Sequence, residues 1–179
     1  MKHIIAAIDP GTTRSAFCIL DTSTLTLVDF GIEDNAVLKT DVENKWCSEW
    51  SMAIEMVQSF GMPVGSEIFE TCVWIGWFTA GMWQDWHRIY RSEEKHSLCH
   101  NAKANDASIH QRLVDMFGGK ERAVGYKKSP GPLYGVKKDI WSALAIAVTY
   151  GLKAGRLTLS EEGLLRPGRS SPPSGRGTS

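Results

Sequence analysis

Apolar runs separated by turn residues organise the start of the chain. Residues 4–8 form a continuous apolar run, which is typical of a strand buried on both faces. The run ends on Asp9, and Pro10-Gly11 then predicts a turn. Residues 16–20 form a second such run, and residues 24–30 alternate apolar and polar positions with β-branched residues. We therefore predict a meander of three strands.

Further along, the pattern becomes an alternation of strands and helices. Residues 51–58 alternate as a strand does, and Ser66 opens a long helical pattern that extends to about residue 84. The rest predicts a loop with a possible short helix over 31–50, a bent strand over 88–99, a helix over 105–117 that Gly118-Gly119 ends, a loop over 118–136 and a helix from Asp139 to residue 150. Together these elements predict an α/β fold, a mixed β-sheet flanked by helices.

Two carboxylates lie at unusual places in this strand pattern. Asp9 ends a buried strand above a tight turn, which is one way to present an acid to a metal or a phosphate; alternatively, Asp9 only starts an Asx-turn. Glu55 lies between the apolar residues Ile54 and Met56. Because a buried carboxylate without a partner is costly, Glu55 needs a cation, a metal or access to water, unless it faces solvent at a sheet edge. The residues alone leave both pairs of alternatives open.

The composition is that of one globular domain with a polar tail. The chain has 179 residues, of which 42% are apolar and 22% are charged. No apolar run has membrane-spanning length, no signal peptide is predicted, and the four cysteines lack metal-binding spacing and are expected to be reduced. Beyond about residue 155 the chain turns to Arg, Gly, Ser and Pro. We predict a domain over residues 1–155 and a disordered tail over residues 156–179.

Charge is distributed unevenly, although the formal net charge is zero. Residues 1–85 hold 4 Lys and Arg against 12 Asp and Glu, whereas residues 86–138 hold 11 against 5. An acidic half joined to a basic half suits a protein that gathers cations at one place and phosphates at another. Ordinary regional variation in a neutral protein is the alternative.

Four stretches occur in an informative order. They are residues 8–16 (IDPGTTRSA), 53–56 (AIEM), 101–106 (NAKAND) and 139–147 (DIWSALAIA). They resemble, respectively, the first motif, the acidic fourth strand, the segment before the penultimate helix and the closing motif of the RuvC-type Holliday junction resolvases, and more closely of their phage and prophage relatives. The resemblance covers about residues 4–152. It implies a ribonuclease H-like fold and an endonuclease that resolves Holliday junctions or related branched DNA by symmetric phosphodiester hydrolysis.

The resemblance also implies a set of catalytic and metal-binding acids. Asp9, Glu55 and Asp139 occupy acidic positions of the family's motifs. The second acid of the closing motif, one helical turn after Asp139, is replaced by Ser142. Asp106 either supplies the missing acid or caps its helix, and Asp139 has the same capping alternative.

Cofactors and ligands follow from the same resemblance. Two Mg²⁺ ions per site, or Mn²⁺ as a substitute, are expected on these carboxylates, with Asp9 bridging them, because phosphodiester hydrolysis needs an activated hydroxide and charge relief at the leaving oxygen. The expected partner is branched DNA, above all a four-way junction. Its phosphates are expected to contact Arg14, Lys95, Lys103, Lys127, Lys128, Lys137 and Lys138, and Phe60 is expected to wedge between bases unless it only packs its loop.

A homodimer through the helix over residues 66–84 is a further expectation. That helical pattern is apolar on too many sides for a surface helix, so the helix is either central or an oligomer interface. Four tryptophans on it and at its end favour the interface, and two symmetric nicks need two sites related by a two-fold axis. The expected location is the bacterial cytoplasm or a phage-infected cell, without membrane contact.

Three other functions fit parts of the sequence. Residues 9–13 also resemble the first phosphate loop of the actin, sugar-kinase and heat-shock-chaperone ATPases, but those proteins need a second such domain for which this chain has no room. Another nuclease of the same fold would act on flaps, forks or structured RNA. A non-catalytic nucleic-acid-binding module is the third alternative, because Ser142 replaces an acid.

Overall fold

A five-stranded mixed sheet forms the centre of the fold. The computed structural model describes residues 3–47, 49–58, 61, 63–80 and 86–168. The sheet consists of β1 (Ile4–Asp9), β2 (Arg14–Asp21), β3 (Thr26–Asp34), β4 (Ser51–Met56) and β5 (Trp86–Tyr90), in the order β3-β2-β1-β4-β5. β2 pairs antiparallel with β1 and β3, whereas β4 pairs parallel with β1 and β5. The predicted meander and mixed sheet are confirmed.

Helices and two short hairpins complete the chain. The helices are α1 (Asn35–Asn44), α2 (Ser66–Ala80), α3 (Arg91–Cys99), α4 (Asp106–Met116), α5 (Lys120–Ala123) and α6 (Ile140–Lys153). The hairpins are β6 (Gly125–Tyr126) with β7 (Ser129–Pro130), and β8 (Leu157–Leu159) with β9 (Leu165–Pro167). Among the described residues, no helix combines the length and the apolar character that crossing a membrane requires.

Alternation along the central strands divides the core between the two faces of the sheet. Ile5 and Ala7 of β1 join the larger core, which includes residues of α3, α4 and α6, whereas Ala6 and Ile8 join a smaller core with α1 and α2. Ala53 of β4 belongs to the α6 face as well. Because successive side chains of a strand point to opposite faces, the strand ends direct Asp9 and Glu55 toward the α6 face.

The segment after β5 is helical, so the bent strand predicted over residues 88–99 is wrong beyond Tyr90. At the start of α3, the backbone N–H of Tyr90 donates a hydrogen bond to Glu93 at 2.8 Å, which is half of a capping box. Glu94 and Leu98, four residues apart, are the buried positions of this helix. The loop predicted over residues 118–136 likewise contains α5 and the β6–β7 hairpin.

The folded chain continues past the boundary predicted at residue 155. Leu157 and Leu165 of the β8–β9 hairpin are 1% and 5% exposed and belong to the core on the α6 face. A Cβ atom at Gly151 would lie 2.6 Å from Cδ1 of Leu157, so α6 and the hairpin are in close contact. The disordered tail predicted over residues 156–179 is therefore wrong for residues 157–168, and residues 169–179 lie outside the described residues.

Truncation after Arg156 should consequently destabilise the protein. It removes two buried leucines, and the loss of one buried leucine side chain costs roughly 2–5 kcal/mol. We expect the melting temperature to fall by about 8 °C or more, measured by circular dichroism. A chain that ends at Gly168 is the control and should melt within about 2 °C of the full chain. Equal melting temperatures for the two truncations would show that the hairpin does not stabilise the fold.

Candidate active site

Asp9 lies at the carboxyl end of β1, on the edge of the sheet where parallel strands commonly bind ligands. Other side chains hold the turn that follows it. Ser15 Oγ accepts a hydrogen bond from the Gly11 N–H at 3.2 Å and donates one to Asn35 Oδ1 at 2.6 Å. Asn35 Nδ2 donates to the Gly11 carbonyl at 2.9 Å, and both polar side chains are buried. The Asx-turn alternative for Asp9 is therefore not supported, because Ser15 and Asn35 make the side-chain hydrogen bonds to this turn.

Glu55 lies beside Asp9 on the neighbouring strand. β1 and β4 run parallel with Ile8 opposite Ile54, and the two acids follow that pair. The Glu55 carboxyl group is close enough to Asp9 to act on it by charge and by hydrogen bonding. Burial, and then the negative charge of Glu55, raises the pKa of Asp9 from 3.8 to about 8, with smaller contributions from Asp139 and Glu94. Asp9 is thus a carboxyl group among like charges.

Asp139 immediately precedes α6. It occupies the N-cap position, but its side chain makes no capping hydrogen bond, so the capping alternative does not apply. The exposed carboxylate lines a cleft of about 370 Å³ together with Lys138 and Ser142. Lys138 has a φ of 50°, a left-handed conformation that is uncommon for lysine and tends to occur at functional sites.

Asp106 is connected to this region through Arg91. Asn105, not Asp106, is the N-cap of α4, because its Oδ1 accepts the Ser108 N–H at 2.9 Å; the capping alternative for Asp106 is therefore wrong. The Asp106 side chain is 88% exposed, forms an ion pair with Arg91 and lines the same cleft as Asp139. The charges that raise the pKa of Asp9 belong to Glu55, Asp139 and Glu94. Asp106 thus lies at the margin of the acidic group.

Glu94 on α3 is an acid of this site that sequence reasoning missed. Its side chain is fully buried and forms an ion pair with Arg91. Burial, and then the charge of Glu55, raises the pKa of Glu94 from 4.5 to about 8 against the opposing charge of Arg91. The bent strand that we predicted over residues 88–99 gave no reason to place Glu94 at the site. Glu93 at the third position of the helix was the only local signal, and Tyr90 before it is not one of the residue types that usually cap helices.

Asp9, Glu55, Glu94 and Asp139 form what we call the carboxyl cluster. Within the described ranges, no three His, Cys, Asp or Glu side chains are already arranged to hold a metal ion. However, all donors of the cluster are carboxylate oxygens, the ligands that Mg²⁺ and Mn²⁺ prefer, and the negative charge around Asp9 favours a cation. By donor chemistry and charge the cluster therefore fits a divalent cation.

The raised pKa of Asp9 predicts stability that falls as the pH rises. A carboxyl group with a pKa of 3.8 when unfolded and about 8 when folded binds more protons in the folded state between those values. Its contribution to the free energy of unfolding is fully present below about pH 4 and is lost as the pH rises to about 8. In EDTA, we expect Asp9→Asn to raise the melting temperature by about 4–10 °C at pH 8.5, and by much less at about pH 5.

Asp115→Asn is the matched control for this measurement, because Asp115 lies exposed on α4. Its effect on the melting temperature should be the same at both pH values. An Asp9→Asn effect that does not grow between the two pH values would contradict the charge crowding assigned to the carboxyl cluster.

Comparisons with known proteins identify the fold. No protein-family model and no curated protein matches the sequence. A solved structure of Thermus thermophilus RuvC matches with a TM-score of 0.60 and 14% identity, over 92% of this chain and 99% of that chain. The structure of T. thermophilus RuvC in complex with Holliday junction substrate matches with a TM-score of 0.58 and 13% identity, with the same coverage of each chain. The chain has the RuvC fold. The ribonuclease H-like class predicted from the sequence is confirmed.

Residues predicted to contact DNA occupy several places in this RuvC fold. Lys138 lines the cleft beside Asp139, and Arg14 at the start of β2 donates from Nη2 to the Ile32 carbonyl at 2.7 Å. The remaining lysines lie on α3 (Lys95), before α4 (Lys103), in the turn of the β6–β7 hairpin (Lys127 and Lys128) and before α6 (Lys137). None of the predicted lysines forms an ion pair with a carboxylate in the described part of the chain. Phe60 lies outside the described residues.

Proposed function

We propose that the chain is a divalent-metal-dependent endonuclease that cuts branched DNA, with the four-way junction as its preferred substrate. The observation that carries the proposal is the carboxyl cluster at the carboxyl ends of β1 and β4. The RuvC fold supports the substrate class, because one matched structure is RuvC in complex with Holliday junction substrate. Exposed lysines next to the cluster, such as Lys138, support binding to a phosphate backbone.

Mg²⁺ is the proposed cofactor, with Mn²⁺ as a substitute, and Asp9, Glu55 and Asp139 would hold it. When bound, two such ions supply an activated water and stabilise the leaving oxygen. Asp9 and Glu55 lie on adjacent strands of a rigid sheet, which fixes their relative position. Asp139 approaches from the exposed end of α6, where a phosphate of the substrate can enter the cleft. Lys138 would hold that phosphate by its charge.

A panel of labelled substrates tests the proposed function. Synthetic four-way junction, fork, flap, linear duplex and structured RNA are incubated with Mg²⁺ or with EDTA, and the products are resolved on denaturing gels. We expect paired nicks at symmetric positions of the junction with Mg²⁺, and no cleavage in EDTA. Preferred cleavage of flaps, forks or RNA would indicate another nuclease of this fold. Binding without cleavage in either metal would indicate a non-catalytic binding module.

We further propose that the protein acts as a homodimer through α2. Phe69, Val73 and Trp77 are 62%, 58% and 52% exposed, and their spacing of four residues places them on one face of the helix. Ile75 and Phe78 are the buried residues of α2, so the helix covers the sheet and is not central to the core. An exposed apolar stripe with an aromatic residue at each end is typical of a protein interface, and an isologous pair supplies two sites for two nicks.

Val73→Glu should therefore convert the protein into a monomer, because it places a charge in the middle of the stripe. Light scattering coupled to gel filtration at about 10 µM should show the mass fall by half, with an unchanged circular dichroism spectrum. Val28→Glu on β3 is the control, since Val28 is 60% exposed and lies away from α2. Wild-type protein that is monomeric and fully active under the same conditions would refute the dimer.

A further inference from the structure

Glu94 is an exceptional residue in this fold, because its charged side chain is completely buried. Its relative exposure is 0%, whereas glutamate side chains are almost never fully buried without full pairing. One oxygen, Oε2, accepts a hydrogen bond from Arg91 Nη1. The other, Oε1, has no hydrogen-bond partner in the described part of the chain. A buried carboxylate oxygen without a partner costs folding free energy, which indicates a role beyond packing.

The surroundings of Glu94 are acidic. Its charge interacts with Glu55 and with Asp9, and Arg91 divides its guanidinium group between Glu94 and Asp106. One guanidinium group therefore serves an environment with several carboxylates. Burial, and then the charge of Glu55, outweigh the charge of Arg91 and raise the pKa of Glu94.

A purely structural ion pair between Glu94 and Arg91 is the simpler interpretation. Such a pair stabilises a fold only when its geometry is good and its remaining lone pairs are satisfied, and it is better placed away from like charges. Glu94 fails both conditions, because Oε1 is unpaired and Glu55 is a neighbour. A cation between the two glutamates would meet both requirements at once.

The position of Glu94 is also relevant to the acid that is missing from the closing motif. Ser142 stands one helical turn after Asp139 where the resembled family has its second acid, and Ser142 provides no carboxylate. Ser142 lines the cleft together with Arg91, the residue that holds Glu94. Glu94 on α3 can therefore supply the carboxylate that Ser142 does not provide.

We propose that Glu94 is a ligand of the divalent cation, with Oε1 as its donor atom, and that it replaces the carboxylate absent at Ser142. Arg91 is then a positioning residue that holds Oε2 and leaves Oε1 for the metal. The inference rests on the proposed metal-dependent function, but it concerns cation binding and not the choice of DNA substrate.

Calorimetric titration of the DNA-free protein with Mn²⁺ tests this directly. We expect Glu94→Gln to weaken Mn²⁺ binding by about tenfold or more and to abolish the increase in melting temperature that Mn²⁺ gives the wild type. Glu93→Gln is the matched control: it changes the adjacent acid, which pairs with Lys153 instead, and should keep wild-type affinity. Adding Ser142→Asp to Glu94→Gln should restore Mn²⁺ affinity.

The contrary results are equally specific. If Glu94→Gln and Glu93→Gln bind Mn²⁺ with equal affinity, the proposal is overturned and Glu94 is a structural partner of Arg91. A wild-type protein that binds no Mn²⁺ would overturn the proposal as well. If Glu94→Gln does not fold, the Mn²⁺ affinity of the single variant Ser142→Asp tests the proposal. An affinity equal to that of the wild type supports a site that Glu94 already completes, whereas a tenfold higher affinity overturns the proposal. Failure of the proposed function would give a different result: the protein would bind Mn²⁺ in a Glu94-dependent manner but would not cut branched DNA.

Discussion

Asp9→Asn and Glu55→Gln should each reduce cleavage of a four-way junction by about a hundredfold or more, while junction binding stays intact or becomes tighter. Both changes keep the shape of the side chain and remove a negative charge that would hold the cation, and loss of a metal-site interaction typically costs at least 10–100-fold. Binding should persist because, in the proposed function, the lysines and not the acids contact the phosphates. A tighter complex is expected where the variant removes repulsion between the acid and a phosphate.

Single-turnover cleavage and a gel-shift titration in Ca²⁺ measure the two properties separately. Glu121→Gln and Asp115→Asn are the matched controls, since both residues are exposed and lie on α5 and α4. They should retain wild-type rates. Near-normal turnover of either Asp9→Asn or Glu55→Gln would remove the carboxyl cluster from the reaction.

The pairing of Asp9 with Glu55 is the part of the site that the sequence predicts best. Each acid interrupts or ends an apolar run, and such positions are few because a buried carboxylate is costly. Once β1 and β4 pair in parallel, their ends meet at one edge of the sheet. Local pattern and sheet geometry together therefore determine this pair. The resemblance contributed Asp139, which no local pattern separates from an ordinary helix cap.

Glu94 and the β8–β9 hairpin could not be predicted in the same way. α3 has nine residues and few apolar ones, so its helical period is weak. At its start, the backbone N–H of Tyr90 donates a hydrogen bond to the Glu93 carboxylate, a contact that sequence periodicity does not reveal. Leu157 and Leu165 are buried by contact with α6, a tertiary effect that strands of only three residues each cannot signal by their own pattern. Ion pairs such as Arg91 with Asp106 join residues fifteen positions apart and depend on how α3 and α4 pack.

Asp139→Asn should be far more damaging to cleavage than Asp106→Asn. Asp139 acts on Asp9 through its charge and has no capping role to lose, so its replacement should lower the single-turnover rate by about a hundredfold with an unchanged melting temperature. Asp106 is exposed and pairs with Arg91, and asparagine still offers Arg91 an acceptor oxygen. Asp106→Asn should therefore change the rate by less than about threefold, as expected for an exposed ion pair.

The opposite outcome for Asp106 would indicate that Asp106 binds the cation. If Asp106→Asn slows cleavage as much as Asp139→Asn at an unchanged melting temperature, the Asp106 carboxylate leaves Arg91 and joins the cation site when DNA and metal are bound, as both acids already line one cleft. Ser142→Asp should then rescue Asp106→Asn, because it returns a carboxylate one helical turn from Asp139. On the arrangement seen here, Ser142→Asp should rescue only Glu94→Gln. The variant that Ser142→Asp restores therefore identifies which acid replaces the missing one.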